Sequence, residues 1–251
     1  MKKKSLGIIG FGRFGQLAAK HLKKHFTEVF VSDHVDKRKE AGRLGVSFVA
    51  IDECAGKDVV LLCVPISSFR KVLKTIIPRL KAGALVIDTC SVKEEPVRAM
   101  KELIPNKCEC IGTHPLFGPD TAKDGVIGKK IVLCPVQKSA SRRSIMPHIK
   151  RFLTTKLGLT VITTTPKEHD WQMARSLALI HILGTALLRT DVKRVNLTTP
   201  THERLVELVD IVKNDSKQLA IDMQTHNRFA RKARKDLIRE LKKIDGELEA
   251  L

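Results

Sequence analysis

Apolar runs of strand length punctuate the first two thirds of the chain, at residues 6–9, 29–32, 59–64, 85–88, 110–112, 131–134 and 160–164. Several are apolar throughout rather than alternating, as strands covered on both faces should be. The intervals between the early runs are long enough for crossover helices, which predicts a doubly wound, mainly parallel α/β sheet. The texture changes at Thr165-Pro166-Lys167-Glu168, where a Thr cap, a Pro at the first helical position and a Glu three residues past the cap signal a helix start. No strand pattern follows. A long helix is expected to about residue 188, a second from Pro200 to Lys213 behind Thr199, and a third from Asp215-Ser216-Lys217-Gln218 into a basic tail. The expected domains are therefore 1–165 and an all-α 166–251.

The tail carries an apolar stripe at helical spacing: Phe229, Ala233, Leu237, Leu241, Ile244, Leu248 and Leu251. So long a stripe on so small a domain implies completion by a second subunit, a homodimer through the C-terminal helices.

Charge alters the picture less than its size suggests. The 251 residues carry a formal +19, densest over 228–243, with eight Lys/Arg against Asp236 and Glu240. A packed helix with a solvated basic face accounts for that density. Aromatics make up only 4% of the chain, and no nucleic-acid-reading module is visible, so specific nucleic-acid binding is not expected. No apolar run reaches membrane-spanning length. Met1-Lys2-Lys3-Lys4 is followed by no apolar leader core, and a cytoplasmic protein is expected. The six cysteines form no C-x-x-C pair and mostly sit in or beside apolar runs, which reads as buried free thiols and no metal site.

The first run leads straight into Gly10-Phe11-Gly12-Arg13-Phe14-Gly15, a helix follows, and Asp33 closes the next strand. This is the Rossmann fingerprint. Gly10 permits the tight turn, Gly12 lets backbone approach a pyrophosphate, Gly15 lets helix and strand pack closely, and the helix N-terminus attracts phosphate. Asp33 would accept the ribose hydroxyls and repel a 2′-phosphate, which favours NAD over NADP, although Lys37 and Arg38 nearby soften that preference.

Ligands of such sheets bind beyond the carboxyl ends of the strands. Ser91 and His114 occupy two of those ends. Ser91-Val92-Lys93-Glu94 also reads as a capping box, and His114 precedes a proline, so position alone leaves each open between structure and chemistry. The segment His114-Pro115-Leu116-Phe117-Gly118-Pro119-Asp120 is expected to be an irregular loop over the cofactor crevice.

Taken with the glycine turn, Cys63-Val64-Pro65, Asp88-Thr89-Cys90-Ser91-Val92-Lys93 and Gly112-Thr113-His114-Pro115-Leu116-Phe117-Gly118-Pro119 resemble the prephenate/arogenate dehydrogenase family in order and spacing. Glu168-His169-Asp170, His181, Thr198-Thr199-Pro200 and Arg204 extend the likeness over nearly the whole chain. The resemblance implies NAD(P)-dependent oxidative decarboxylation of prephenate, or alternatively arogenate, on the route to tyrosine. It implies His114 as the group assisting deprotonation of the substrate hydroxyl, and Ser91 as the group that orients His114 or that hydroxyl and contacts the nicotinamide. Val64 and Pro65 would join the turn in holding the cofactor. Arg204 would pair a substrate carboxylate, with Arg194 in reserve, and His181 would line the substrate pocket. His169-Asp170 reads as structural. No chorismate mutase or regulatory domain is expected. A β-hydroxyacid or imine-type dehydrogenase is the competing enzyme class, but it usually depends on a lysine on the long helix, and none follows Lys167 there.

Overall fold

The computed structural model describes residues 4–136 and 145–251; Met1, Lys2 and Lys3 of the N-terminal basic run lie outside the described residues. The chain separates into two compact units, Met1–Pro166 and Lys167–Leu251.

The first unit is an eight-stranded sheet in the order β3-β2-β1-β4-β5-β6-β7-β8. The strands are β1 (Leu6–Ile9), β2 (Val29–Ser32), β3 (Ser47–Phe48), β4 (Val59–Leu62), β5 (Leu85–Asp88), β6 (Glu109–Pro115), β7 (Lys130–Pro135) and β8 (Thr160–Thr163). Every neighbouring pair is parallel except β6 with β7. The crossover helices are α1 (Arg13–Leu22), α2 (Arg38–Leu44), α3 (Ile51–Ala55), α4 (Ile66–Ile76), α5 (Glu94–Leu103) and α6 (Met146–Leu157).

Uniformly apolar strands are needed because each supplies two cores. In β4, Val60 and Leu62 join Phe69, Leu73, Val97 and Met100 on the face covered by α4 and α5. Val59 and Leu61 join Ala19, Ile149 and Leu153 on the face covered by α1 and α6. Successive side chains thus serve opposite layers. The five cysteines other than Cys63 are buried, and all six are free thiols.

Three features depart from the sequence reading. The two-residue β3 is too short to leave a pattern. His114 and Pro115 belong to β6, where His114 stands opposite Val132, so the irregular segment begins only at Leu116. Of the three expected helices the second forms unbroken over Pro200–Asn214, and the first and third are each broken. The first becomes α7 (Pro166–Arg175) and α8 (Leu177–Arg189), parted at Ser176, whose backbone leaves helical geometry and whose hydroxyl bonds back to the Gln172 carbonyl.

The second unit continues with α9 (Pro200–Asn214), capped by Thr199, and α10 (Lys217–Thr225), capped by Ser216. Here α10 stops and α11 (Ala230–Glu249) starts afresh, because Asn227 turns its side chain to the backbone. Its Oδ1 accepts from Phe229 N–H at 3.0 Å, and its Nδ2 donates to the Asp170 carbonyl at 2.8 Å. The stripe of α11 is packed only near its start: Leu241, Ile244 and Leu248 are exposed. Among the described residues no helix is long and apolar enough to cross a membrane.

Candidate active site

The sheet order reverses between β1 and β4, and β1, β2, β4, β5 and β6 all run the same way. Their carboxyl ends therefore form one edge, which carries the glycine turn, Asp33, Val64-Pro65, Ser91 and His114. Topology does the gathering: residues scattered over a hundred positions meet because every crossover returns the chain in the same direction.

The turn has the shape a dinucleotide requires. Gly10 takes φ +93°, and a Cβ there would lie 2.3 Å from the Cys63 carbonyl oxygen; one at Gly15 would lie 2.1 Å from that of Gly10. At Gly12 a Cβ would meet nothing within 4 Å, so backbone faces open space at the N-terminus of α1. A pyrophosphate fits that opening, where N–H groups and the helix dipole converge. Phe11 is fully buried in the apolar core, so it contributes only backbone to the edge, while Phe14 is partly exposed.

Asp33 braces the turn. Its Oδ2 accepts from Phe11 N–H at 2.7 Å and its Oδ1 from Val35 N–H at 3.0 Å. Oδ1 also lies 2.9 Å from the exposed His34 Nδ1, so it is Oδ2 that keeps a second lone pair for a ribose hydroxyl. Arg13 reaches across to Asp120 at 2.8 Å, tying the segment after β6 to the turn. Val64 is half-buried and Pro65 caps α4, which brings a second helix N-terminus to the same edge.

Ser91 and His114 are both buried. Ser91 does not cap a helix: α5 begins at Glu94 behind Lys93, and the Ser91 Oγ is buried with no hydrogen-bond partner. A hydroxyl in that state costs stability unless a ligand engages it. Behind the two lies a feature that sequence reasoning did not single out. Asp88 and Lys93 are fully buried and ion-paired. Asp88 accepts from Cys90 N–H at 2.8 Å and Thr113 N–H at 3.1 Å, and Lys93 donates to the Thr113 carbonyl at 2.5 Å. Burial pushes the Asp88 carboxyl up, opposed by Lys93 and the two N–H donors. An acid and a lysine flanking apolar stretches were the available signal.

Within the helical unit, Arg204 is exposed and lines an open cleft of about 510 Å³ with Thr199, Thr201, His202, Leu205 and Leu208. Arg194 pairs with Asp210 at 3.3 Å. His181 is buried, with Nε2 3.4 Å from the Asp215 carboxylate and Nδ1 lacking any partner. His169 bonds Asp170 at 2.7 Å, both buried.

Sheet order and turn together define a dinucleotide-binding protein of the Rossmann class. Residues 18–163 match the family model described as prephenate dehydrogenase, nucleotide-binding domain, and the chain belongs to that family. Residues 186–251 match a second model, TYRAAT1-like, C-terminal domain. The chain is 30% identical over 227 residues to arogenate dehydrogenase 1, chloroplastic, of Arabidopsis thaliana, covering 88% of this chain and 36% of that protein. It is 29% identical over 248 residues to a probable arogenate/prephenate dehydrogenase of Methanocaldococcus jannaschii, covering 94% and 55%. The chain thus spans from about a third to about two thirds of the length of the curated relatives it matches. In fold it follows the prephenate dehydrogenase from A. aeolicus solved with hydroxyphenyl propionate and NAD+, with TM-score 0.79, 22% identity, and 100% and 92% of the two chains covered.

Proposed function

We propose that this protein carries out the oxidative decarboxylation of a cyclohexadienol, prephenate to 4-hydroxyphenylpyruvate or arogenate to tyrosine. The observation that carries the reading is a buried, unpartnered Ser91 hydroxyl at the same sheet edge as the buried His114, the edge that bears the glycine turn. Bound NAD, favoured over NADP by Asp33, would accept the hydride from ring C4. His114, neutral, takes the proton from the C4 hydroxyl as the carbonyl forms. The ring carboxylate leaves as CO2, its bonding electrons restore the aromatic ring, and the phenolic oxygen recovers a proton. Ser91 Oγ orients the reacting hydroxyl or its imidazole partner. Aromatisation drives the reaction, so orientation is the main demand on the protein. Arg204 is proposed to hold a substrate carboxylate as a bidentate pair, and His181 to contact the substrate side chain.

Asp215 favours the arogenate reading. A carboxylate beside His181 offers a partner to an ammonium side chain and none to a keto acid. We further propose that a second copy of the chain covers the exposed stripe of α11.

The test is a set of parallel assays with prephenate and arogenate, each with NAD and NADP, followed by reduced-nicotinamide absorbance. Turnover of neither substrate ends this reading. His114→Ala should lower kcat about 10³-fold with NAD affinity nearly intact, and survival of activity in that variant would remove His114 from the chemistry.

A further inference from the structure

The registered pairing of β5 with β6 ends at Ile87 opposite Ile111, yet β6 continues four residues further, paired only with β7. His114 emerges on that stretch, where the β5 side of the ladder has stopped. There the side chains of Asp88 and Lys93 take over. Asp88 accepts the Thr113 N–H, Lys93 donates to the Thr113 carbonyl, and the Thr113 hydroxyl donates to the Asp88 carbonyl at 2.5 Å. All three polar groups of Thr113, the residue before His114, are thereby committed to the pair. The same Asp88 carboxylate holds the N–H of Cys90, the residue before Ser91.

Stability alone gives a poor account of this arrangement. The surroundings are apolar, with Val86, Val92, Val97, Met100, Cys110 and Cys134 in the adjoining cluster. Buried ion pairs in such settings are commonly matched or bettered by apolar side chains of similar volume. Lys93 also stands at the N-cap of α5, the end of a helix that disfavours a cation. Gly112 is shaped to the pair as well, since a Cβ there would lie 3.2 Å from Asp88 Oδ2 and 2.6 Å from a Val97 methyl. The device is costly, and it joins the two peptide segments that present Ser91 and His114.

We propose that Asp88 and Lys93 are positioning residues, a buried ionic splice that replaces the missing ladder and sets the Ser91–His114 geometry. The proposal rests on the dehydrogenase reading for its activity readout only. The test compares Lys93→Met, Asp88→Asn and the double variant in the full chain. Each is assayed with whichever substrate the wild type turns over, alongside NAD affinity and thermal midpoint. The single variants should lose both stability and about 100-fold in kcat. The double variant, freed of an unpaired buried charge, should regain the thermal midpoint and NAD affinity but not kcat. Recovery of kcat together with the midpoint would reduce the pair to a structural role and overturn the proposal. Should the double variant fail to fold, Thr113→Val decides. It leaves the ion pair intact, and kcat should fall with KM little changed; an unchanged kcat overturns the proposal.

If the wild type turns over neither substrate, the reaction reading fails by itself, and amide exchange then judges the splice. Lys93→Met should expose the Cys90 and Thr113 amides selectively, whereas uniform loss of protection across the sheet would count against it.

Discussion

The unit Met1–Pro166 buries its side chains in two large apolar clusters, one on each face of the sheet, whereas in Lys167–Leu251 the clustered buried residues are Ala174, Ala178 and Ala230. The helical unit also buries Val206, Val209, Val212 and Met223, and sets beside them the polar His169, Asp170, His181, Asp222 and Asn227. Its interior is arranged by polar pairs: His169 with Asp170, His181 with Asp215, Gln218 with Asp222, and Asn227 with the Asp170 carbonyl. An apolar core tolerates small shifts because dispersion has little direction. A polar interior has a few permitted geometries and a high cost for each missed bond. The sheet unit is thus built for strength with one ionic splice at its site, and the helical unit for specified geometry with less apolar reserve.

Matched truncations can break that contrast. Phe69→Ala, in the α4 layer and 2% exposed, should cost about 3–5 kcal/mol. Asn227→Ala removes two bonds, one to the Asp170 carbonyl and one from the Phe229 N–H, and should cost about 1–3 kcal/mol. Denaturant midpoints measure both. Amide exchange should place the first loss throughout the sheet and the second at the joint between α10 and α11. Equal costs, or a global response to Asn227→Ala, would mean that the two units do not differ in the way described.

The scarcity of apolar reserve also sharpens the proposed dimer. Ile238, Leu241, Ile244 and Leu248 are 44–64% exposed along one stretch of α11. Leu241→Glu should abolish self-association in sedimentation while changing the folding of the single chain by under about 0.5 kcal/mol. A wild-type chain that sediments as a monomer at high concentration would remove the dimer from consideration.

How much of this was legible in the sequence follows the same division. Strands such as Leu6–Ile9 and Leu85–Asp88 were readable to the residue because a buried parallel strand must be apolar throughout and its ends are set by turn chemistry. Gly10, Gly12 and Gly15 declared their roles because each answers a separate steric demand. The helical breaks were hidden. Ser176 and Asn227 redirect the chain through bonds to Gln172 and Asp170, and a bond to a residue 57 positions away leaves no local pattern. The stripe on α11 was legible as a stripe, but not how little of it the same chain would cover. Ser91 looked like a helix cap because Glu94 follows at capping-box spacing, while Lys93 was in fact withdrawn into the Asp88 pair.

The smallest predicted effect bears on the polar interior directly. Burial lowers the pKa of His181 below its ordinary 6.5, with Asp215 opposing that shift. A histidine whose folded value is depressed binds its proton more readily in the unfolded chain, so stability rises with pH across the interval between the two values. The contribution is fully present above 6.5 and is lost as pH falls through the folded value. His21 and His25, in the sheet unit, are lowered first by burial and then by neighbouring lysines, Lys20 and Lys24 for His21, and Lys24 and Lys156 for His25. All three contributions carry the same sign, but the lysine part is screened by salt whereas desolvation is not. Thermal midpoints taken from about pH 8 down to about pH 5 should therefore fall, and added salt should flatten only part of the fall. His181→Asn should remove its share of the salt-resistant part and leave the burial contributions of His21 and His25. If His181→Asn leaves the salt-resistant fall unchanged, His21 and His25 carry it, and the buried histidine of the helical unit does not.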